Sequence, residues 1–187
     1  MEVAQINEVL RGIVDPDTGL DLIAGKYVKQ VVAEHGHVGI QIEFGYPAKS
    51  QFEAMRTRIT DAVGKLPGVE RVAVDISQKI VAHAVQRGVK LLPNVKNIVA
   101  VASGKGGVGK STTAVNLALA LVAEGATVGI LDADIYGPSL PTLLGIHGKP
   151  ESKDGKTLEP MTAHGLQASS IGFLIEPDNP MVWRGPM

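Results

Sequence analysis

Hydrophobic and polar residues in the first part of the chain follow the periods of short helices and strands. Apolar side chains recur at helical spacing from Val3 to Ile13, which predicts a helix that ends before Asp15-Pro16. A strand is predicted over residues 27–33, and His35-Gly36 is typical of the turn that follows such a strand. The chain therefore begins with a helix and then a strand that leads into a tight turn.

Two more strands and a second helix follow. Strict alternation of apolar with small or polar residues from Val38 to Phe44 predicts a half-buried strand. The sequence Ser50-Gln51-Phe52-Glu53 has the form of a capping box, and the helix that it begins keeps one apolar face as far as Pro67-Gly68. Alternation over residues 72–76 predicts a third strand. The order α-β-β-α-β implies a three-stranded sheet with helices packed on one face.

The second half of the chain has longer apolar runs. A run at residues 98–102 predicts a buried strand, and the helical pattern of residues 115–122 ends at Gly125, a good residue for the position after a helix. Residues 127–131 then predict another buried strand. A strand, a helix and a strand in this order indicate an α/β domain with a parallel sheet.

A glycine-rich loop joins the strand at 98–102 to the next helix. It fits G-x-x-x-x-G-K-[ST] in a strand–loop–helix context, which is the phosphate-binding loop of nucleotide hydrolases. Glycines let successive N–H groups curve around an anion, and the helix N-terminus adds donors. Lys110 can reach the β- and γ-phosphates, and Ser111 can ligate Mg²⁺. The candidate ATP ligands are Gly104, Lys105, Gly106, Gly107, Val108, Gly109, Lys110, Ser111 and Thr112.

Two carboxylates follow the strand predicted at residues 127–131. They belong to Asp132 and Asp134. In doubly wound sheets, ligands bind outside the carboxyl ends of the strands, which is where this pair falls. A carboxylate there can hold a water on Mg²⁺ or orient the water that attacks the γ-phosphate.

Composition excludes several classes of function. The 187 residues carry 18 Lys and Arg against 19 Asp and Glu, so no polybasic surface indicates a nucleic-acid partner. No apolar run approaches the roughly 18 residues of a membrane span, and the first residues lack a signal-peptide pattern, so we expect a cytoplasmic protein without a membrane partner. The chain has no cysteine, which removes disulfides and thiolate sites. Apart from the His35/His37 pair, the histidines lack metal-ligand spacing.

The lysine directly after the first glycine of the loop narrows the class of nucleotide hydrolase. With Lys105, the loop becomes K-G-G-x-G-K-[ST] and resembles the deviant P-loop of the MinD/ParA/ArsA/nitrogenase iron protein group. The resemblance implies a homodimer in which this lysine reaches the partner's nucleotide and stabilises charge on the transferring phosphoryl group. The alternative is an ordinary solvated loop lysine.

Further motifs resemble one branch of that group, the Mrp/ApbC iron–sulfur cluster carriers. They are D-A-D-I-Y-G-P-S-L-P from Asp132 to Pro141 and V-W-R-G-P-M from Val182 to Met187. Residues 3–77 resemble the MIP18-type (DUF59) domain through V-D-P-D-T-G and L-P-G-V. The resemblance implies a P-loop ATPase that passes clusters to apo iron–sulfur client proteins together with the cluster-assembly machinery. By the same resemblance, Lys105, Lys110 and Asp134 are catalytic, with Asp134 orienting water, and Asp132 assists the Mg²⁺ shell.

The family pattern also shows where this chain departs from it. Full-length members continue to a D-x-P-P-G-T-G-D switch and to a C-x-x-C that holds a [4Fe–4S] cluster between two subunits; this sequence contains neither. Many MIP18-type domains have a cysteine where this chain has residues 45–49. We therefore expect an α+β domain at 1–77, a linker at 78–94 and an incomplete doubly wound P-loop ATPase domain at 95–187.

Two alternative functions stay open at this point. A ParA/MinD-type positioning ATPase shares the loop and Lys105, and a truncated nucleotide-binding remnant without turnover would keep the loop alone. Asp15 and Asp17 are either functional carboxylates or residues of a structural turn. Within the linker, Ile80 and Val81 hint at a short helix that continues to residue 85.

Overall fold

The computed structural model describes residues 2–83 and 92–175. The chain divides into two compact units, one ending at Ile98 and the other beginning at Val99. Each unit has its own sheet and its own hydrophobic core. The α/β class expected from the sequence is confirmed, and the domain limits expected at residues 77 and 94 stay predictions.

The first unit has the predicted order α-β-β-α-β. Its elements are α1 (Val3–Arg11), β1 (Val28–Glu34), β2 (His37–Phe44), α2 (Phe52–Val63) and β3 (Arg71–Gln78). Strand β2 is central, antiparallel to β1 and parallel to β3. A hairpin can join β1 to β2, whereas the parallel pair needs a crossover connection, which contains α2.

The hairpin turn between β1 and β2 is set by its two residues. His35 and Gly36 have φ angles of 48° and 79°, and the strands pair directly beyond them at Glu34 and His37. A two-residue loop with positive φ at both positions matches the twist of the flanking strands. Glycine takes this conformation without a Cβ clash, so the predicted turn is confirmed.

The core of the first unit follows the alternation in β2. Every second residue of that strand is buried, and the helices contribute side chains to the same cluster. The members from these elements are Ile6, Leu10, Val38, Ile40, Ile42, Phe44, Met55, Ile59 and Val63. The two-residue period of β2 and the apolar faces of the helices therefore meet in one core, as the sequence predicts.

The helix expected after Ser50 begins at Phe52, and the capping box itself stays a prediction. A 3-10 turn at Lys49–Gln51 precedes α2, and Gln51 takes the capping position without a side-chain cap hydrogen bond. Within the turn, the Gln51 N–H donates to the Ala48 carbonyl at 2.9 Å. Such i→i+3 backbone bonds satisfy donors at a helix start.

Asp15 is fully buried in a hydrogen-bonded cluster of the first unit. The Thr18 hydroxyl donates to its Oδ2 at 2.6 Å, and the Tyr46 hydroxyl lies 2.8 Å from both carboxylate oxygens. The Asp17 N–H donates to Oδ1 at 3.1 Å. Burial alone raises the pKa of Asp15, but these hydrogen bonds to the charged form outweigh it and the pKa is lowered. These contacts favour the structural interpretation of Asp15.

We expect Tyr46→Phe to destabilise the first unit by about 1.5–3 kcal/mol near neutral pH, because it removes a hydrogen bond to a buried carboxylate. Tyr27→Phe is the matched control. The Tyr27 hydroxyl lies 2.8 Å from the Thr18 hydroxyl, and both tyrosine rings pack on Phe44. Its bond to Thr18 joins two neutral groups, and its own hydrogen bond to Asp15 lowers the pKa of that carboxyl less than the bond from Tyr46 does, so its loss should cost only about 0.5–1.5 kcal/mol. Urea unfolding followed by circular dichroism compares the two, and equal losses would contradict the assigned role of Tyr46.

The same variant should change the response of stability to acid. Because the pKa of Asp15 is lowered in the fold, its contribution is complete above the ordinary value of 3.8 and is lost as pH falls through the folded value. Tyr46→Phe raises the folded pKa toward that ordinary value. The stability difference between wild type and variant should therefore shrink below about pH 4. A difference that stays constant with pH would show that Tyr46 does not act on the carboxylate.

The second unit has a small mixed sheet. Its elements are α3 (Lys110–Ala123), β4 (Val128–Leu131), α4 (Leu140–Leu144), β5 (Met161–Ala163) and β6 (Leu166–Ser169). Strand β6 is central, parallel to β4 and antiparallel to β5. The core members are Val115, Ala118, Leu140, Leu144, Ile146, Leu166, Ala168 and Phe173.

The predicted end of α3 is confirmed. Gly125 follows the helix with φ of 84°, and its N–H donates to the Val122 carbonyl. The Ala126 N–H donates to the Leu121 carbonyl, which completes a Schellman motif.

The strand predicted at residues 98–102 is wrong. These residues have no regular secondary structure, and Ile98 and Val99 are 64% and 66% exposed. Within the described residues, no backbone hydrogen bond joins this segment to another one. A β-strand needs a neighbour for its N–H and C=O groups, so an apolar run alone does not make one.

Some sequence features fall outside the described residues. Ile80 and Val81 lie in no helix, and residues 84–91 of the predicted linker are not described. The V-W-R-G-P-M motif, with Trp183 and Arg184, also lies outside the described residues. In the part of the chain that is described, no helix is long and apolar enough to cross a membrane.

Candidate nucleotide-binding site

The glycine-rich loop leads directly into α3. Gly109 occupies the N-cap position with φ of 87°, and Lys110 is the first residue of the helix. A residue with a Cβ is strained at this φ, so glycine lets the chain turn into the helix while its N–H groups stay at the surface. Earlier in the loop, the Ser103 hydroxyl contacts both the N–H and the carbonyl of Lys105 at 3.1 Å. The side chain of Lys105 is exposed.

Lys110 and Asp134 face each other across the site. The Lys110 Nζ lies 3.4 Å from Asp134 Oδ2, and the other oxygen of this carboxylate accepts the Gly137 N–H at 3.1 Å. Both side chains are partly exposed, at 32% and 45%. An ion pair this open to water is weak, so a phosphate group can compete for the lysine.

Asp132 organises the segment that follows β4. Its Oδ2 accepts the N–H groups of Ser139 and Leu140 at 3.0 and 3.2 Å, and the Ser170 hydroxyl at 3.1 Å. Its Oδ1 accepts the Asp134 N–H at 3.2 Å. We call residues 133–139 the switch loop. Because Leu140 begins α4 and Ser139 makes no side-chain cap hydrogen bond, Asp132 caps this helix from a distance.

These groups line one cleft of about 520 Å³ in the second unit. Lys110 and Ser111 lie on the α3 side, and Asp132, Asp134 and Tyr136 lie on the other. The Lys110 cation and nearby N–H groups therefore lie beside carboxylate and hydroxyl oxygens in one cleft. This combination suits a nucleoside triphosphate, whose phosphates need donors, together with a Mg²⁺ ion, which needs oxygen ligands.

The structure also shows residues that the sequence analysis missed. Ser170 is buried and contacts Asp132, and the β5–β6 hairpin that leads to it was not predicted. The hairpin turn falls at His164-Gly165, the same dipeptide as in the first unit. That repeated turn signal could have revealed the hairpin, but nothing local to Ser170 indicates its contact with a residue 38 positions away. Within the described residues, no group of three or more His, Asp or Glu side chains forms a metal site.

Comparison with known proteins identifies the family of the second unit. The family model described as NUBPL iron-transfer P-loop NTPase matches residues 94–187. The chain belongs to this family. A second family model, described as iron–sulfur cluster assembly protein, matches residues 3–76. The resemblance to the iron–sulfur carrier group, drawn from the sequence motifs, is thereby confirmed.

Curated relatives of this P-loop NTPase carry the name iron–sulfur cluster carrier protein. The one from Synechocystis sp. is 45% identical over 96% of this chain and 52% of its own length. The one from Escherichia coli K12 is 49% identical over 81% of this chain and 41% of its own length. The one from Aquifex aeolicus is 37% identical over 100% of this chain and 56% of its own length. The chain thus spans about half the length of the curated relatives it matches.

Among solved structures, a DUF59 domain from Bacillus anthracis aligns with 39% of this chain and 71% of its own length. The TM-score is 0.37 and the sequence identity is 16%. A likeness at this level does not bear on the fold.

Proposed function

We propose that this chain is the ATP-binding part of an iron–sulfur cluster carrier. The observation that carries this proposal is the placement of Lys110 at the start of α3, 3.4 Å from Asp134 in one cleft. The relatives are named iron–sulfur cluster carrier proteins, which supports an iron–sulfur cluster as the cargo of this chain. We expect apo client proteins to receive that cluster. The carrier works as a cytoplasmic homodimer together with the cluster-assembly machinery.

The residues of the cleft have different roles in ATP binding and hydrolysis. The loop residues from Gly104 to Thr112 hold the phosphates through N–H groups, with Lys110 on the β- and γ-phosphates. Asp134 orients the attacking water once Lys110 has moved from its carboxylate to the phosphate. In the ATP-bound state, the Lys105 side chain extends to the partner subunit's nucleotide.

The residues of the cleft also fit a Mg²⁺ ion. Ser111 offers a hydroxyl as a direct ligand, an oxygen donor of the kind that Mg²⁺ prefers. Asp132 already accepts four hydrogen bonds, so we assign it to the outer shell, where it acts through water. When bound, the ion neutralises charge on the phosphates.

Calorimetric titration of the chain with ATP, with and without Mg²⁺, tests the proposal. We expect saturable binding to one site per chain and tighter binding when Mg²⁺ is present. A chain that binds neither form of ATP would refute the assigned site.

Replacing Lys105 should affect turnover and leave ATP binding almost unchanged. In a full-length family member with the same loop, Lys105→Ala should lower ATP hydrolysis by about tenfold or more, because the cation acts on charge that develops in the transition state. ATP affinity should stay within about threefold of wild type. Lys156→Ala, which removes an exposed lysine, serves as the control for loss of a lysine, and normal turnover of the Lys105 variant would identify an ordinary loop lysine.

We also expect that this chain alone does not hold an iron–sulfur cluster. Such clusters are bound by thiolates, with histidines at Rieske centres, and this sequence has no cysteine. Anaerobic incubation with iron and sulfide should give no thiolate-to-iron absorbance and no stoichiometric iron. A full-length relative with its C-x-x-C motif is the positive control. Stoichiometric iron on this chain would show that other residues bind the cargo.

A further inference from the structure

Ser170 connects the end of β6 to the candidate site. It is 7% exposed, its hydroxyl lies 3.1 Å from Asp132 Oδ2, and its Oγ accepts the Gly172 N–H at 3.1 Å. A serine hydroxyl has one proton, and the Asp132 carboxylate can only accept it. The direction of both hydrogen bonds is therefore fixed, and Ser170 acts as a rigid link between the two residues.

Gly172 brings the next turn close to the switch loop. A Cβ at this position would lie 2.9 Å from Pro141 Cγ and 3.1 Å from Pro138 Cβ. Proline rings cannot turn aside as a flexible side chain does, so any larger residue at 172 has to displace Pro141 at the start of α4 and crowds Pro138 in the switch loop. The 3-10 turn Ile171–Phe173 thus supports the switch loop directly, while Ser170 holds it through Asp132.

The series of hydrogen bonds that begins at Ser170 leads, through Asp132 and Asp134, to Lys110 in the P-loop. Asp132 fixes the Asp134 N–H through Oδ1 and the start of α4 through Oδ2, and the Asp134 side chain meets Lys110. We infer that Ser170 is a positioning residue for ATP turnover: it orients Asp132, and Asp132 sets the place of Asp134 beside Lys110. This inference rests on the proposed function.

The first test measures amide hydrogen exchange on the 187-residue chain. Ser170→Ala should speed exchange of the Ser139 and Leu140 amides by about five- to tenfold, because Asp132 loses one of the donors that orient it. The paired amides of β5 and β6 should exchange as in wild type. Faster exchange throughout that hairpin, with no selective change at Ser139 and Leu140, would mean that Ser170 only stabilises the sheet, and would overturn the inference.

The second test measures turnover in a full-length family member with matching residues. Ser170→Ala should lower kcat by about tenfold while KM stays within about threefold, because Asp134 is misplaced but the P-loop is not. In an Asp134→Asn background the same substitution should have no further effect, since both act on one step. An unchanged kcat, or an equal loss in both backgrounds, would overturn the inference.

Controls separate this inference from the proposed function. Ser169→Ala removes an exposed hydroxyl from the adjacent position and should change neither measurement. Gly172→Ala leaves Ser170 intact but crowds the two prolines, so it should also speed exchange selectively at Ser139 and Leu140 and lower kcat. If Ser170→Ala fails to fold, the result for Gly172→Ala tests the inference in its place. If the chain binds no ATP, the proposed function fails. If Asp134→Asn loses turnover while Ser170→Ala and Gly172→Ala keep it, the positioning role fails.

Discussion

Asp134→Asn should nearly abolish ATP turnover in a full-length family member while leaving ATP binding intact. The carboxylate lies beside Lys110 at the end of β4, where it can orient the attacking water, and loss of such a group costs about 10²–10⁴ in rate. Binding of ATP to this chain should become tighter by up to about fivefold, because Lys110 loses a weak competing partner worth about 0.2–1 kcal/mol.

Steady-state hydrolysis and calorimetry measure the two effects separately. Asp61→Asn is the matched control, since it removes an exposed carboxylate from α2 in the other unit. Turnover within about tenfold of wild type would exclude Asp134 as the residue that orients water. Weaker ATP binding would show instead that Asp134 contributes to the bound nucleotide complex.

Lys110→Ala should weaken binding of ATP to this chain by about 10- to 150-fold. The substitution removes a charge-assisted hydrogen bond to phosphate, worth about 1.5–3 kcal/mol. The loop glycines and the N-terminus of α3 stay in place, so the residual binding reports their share. Calorimetry gives the affinities, and circular dichroism confirms that the helix is retained.

The control for this prediction is Lys156→Ala, which removes an exposed lysine from a loop of the same unit. Its ATP affinity should equal that of wild type. If Lys110→Ala also binds ATP as wild type does, the glycine-rich loop is not the nucleotide site.

The sequence predicts the local elements of the first unit well. The alternation in β2, the helical spacing in α1 and the His35-Gly36 turn each depend on residues close together in the chain. At the start of α2, the structure adds a 3-10 turn that the sequence analysis does not predict. Backbone bonds can substitute for side-chain caps, and the sequence does not reveal which is used.

The sequence predicts less well those features that depend on contact with a residue far away in the chain. The apolar run at residues 98–102 has the composition of a strand, but pairing requires another segment beside it. The sequence leaves the role of Asp15 open, and the contact that favours a structural role comes from Tyr46, 31 residues away. In both cases the outcome depends on which groups meet in space.

The same distinction between local features and distant contacts applies to the candidate site. The residue types of the P-loop, the helix that follows it and the strand directly before Asp132 follow from the sequence, because glycine conformations and hydrophobic periods act locally. Only the tertiary structure placed Lys110 beside Asp134 and the Ser170 hydroxyl on Asp132. Hydrogen bonds and ion pairs form between groups that lie a few ångströms apart, and packing of β4, β6 and α3 brings these groups together across the sequence.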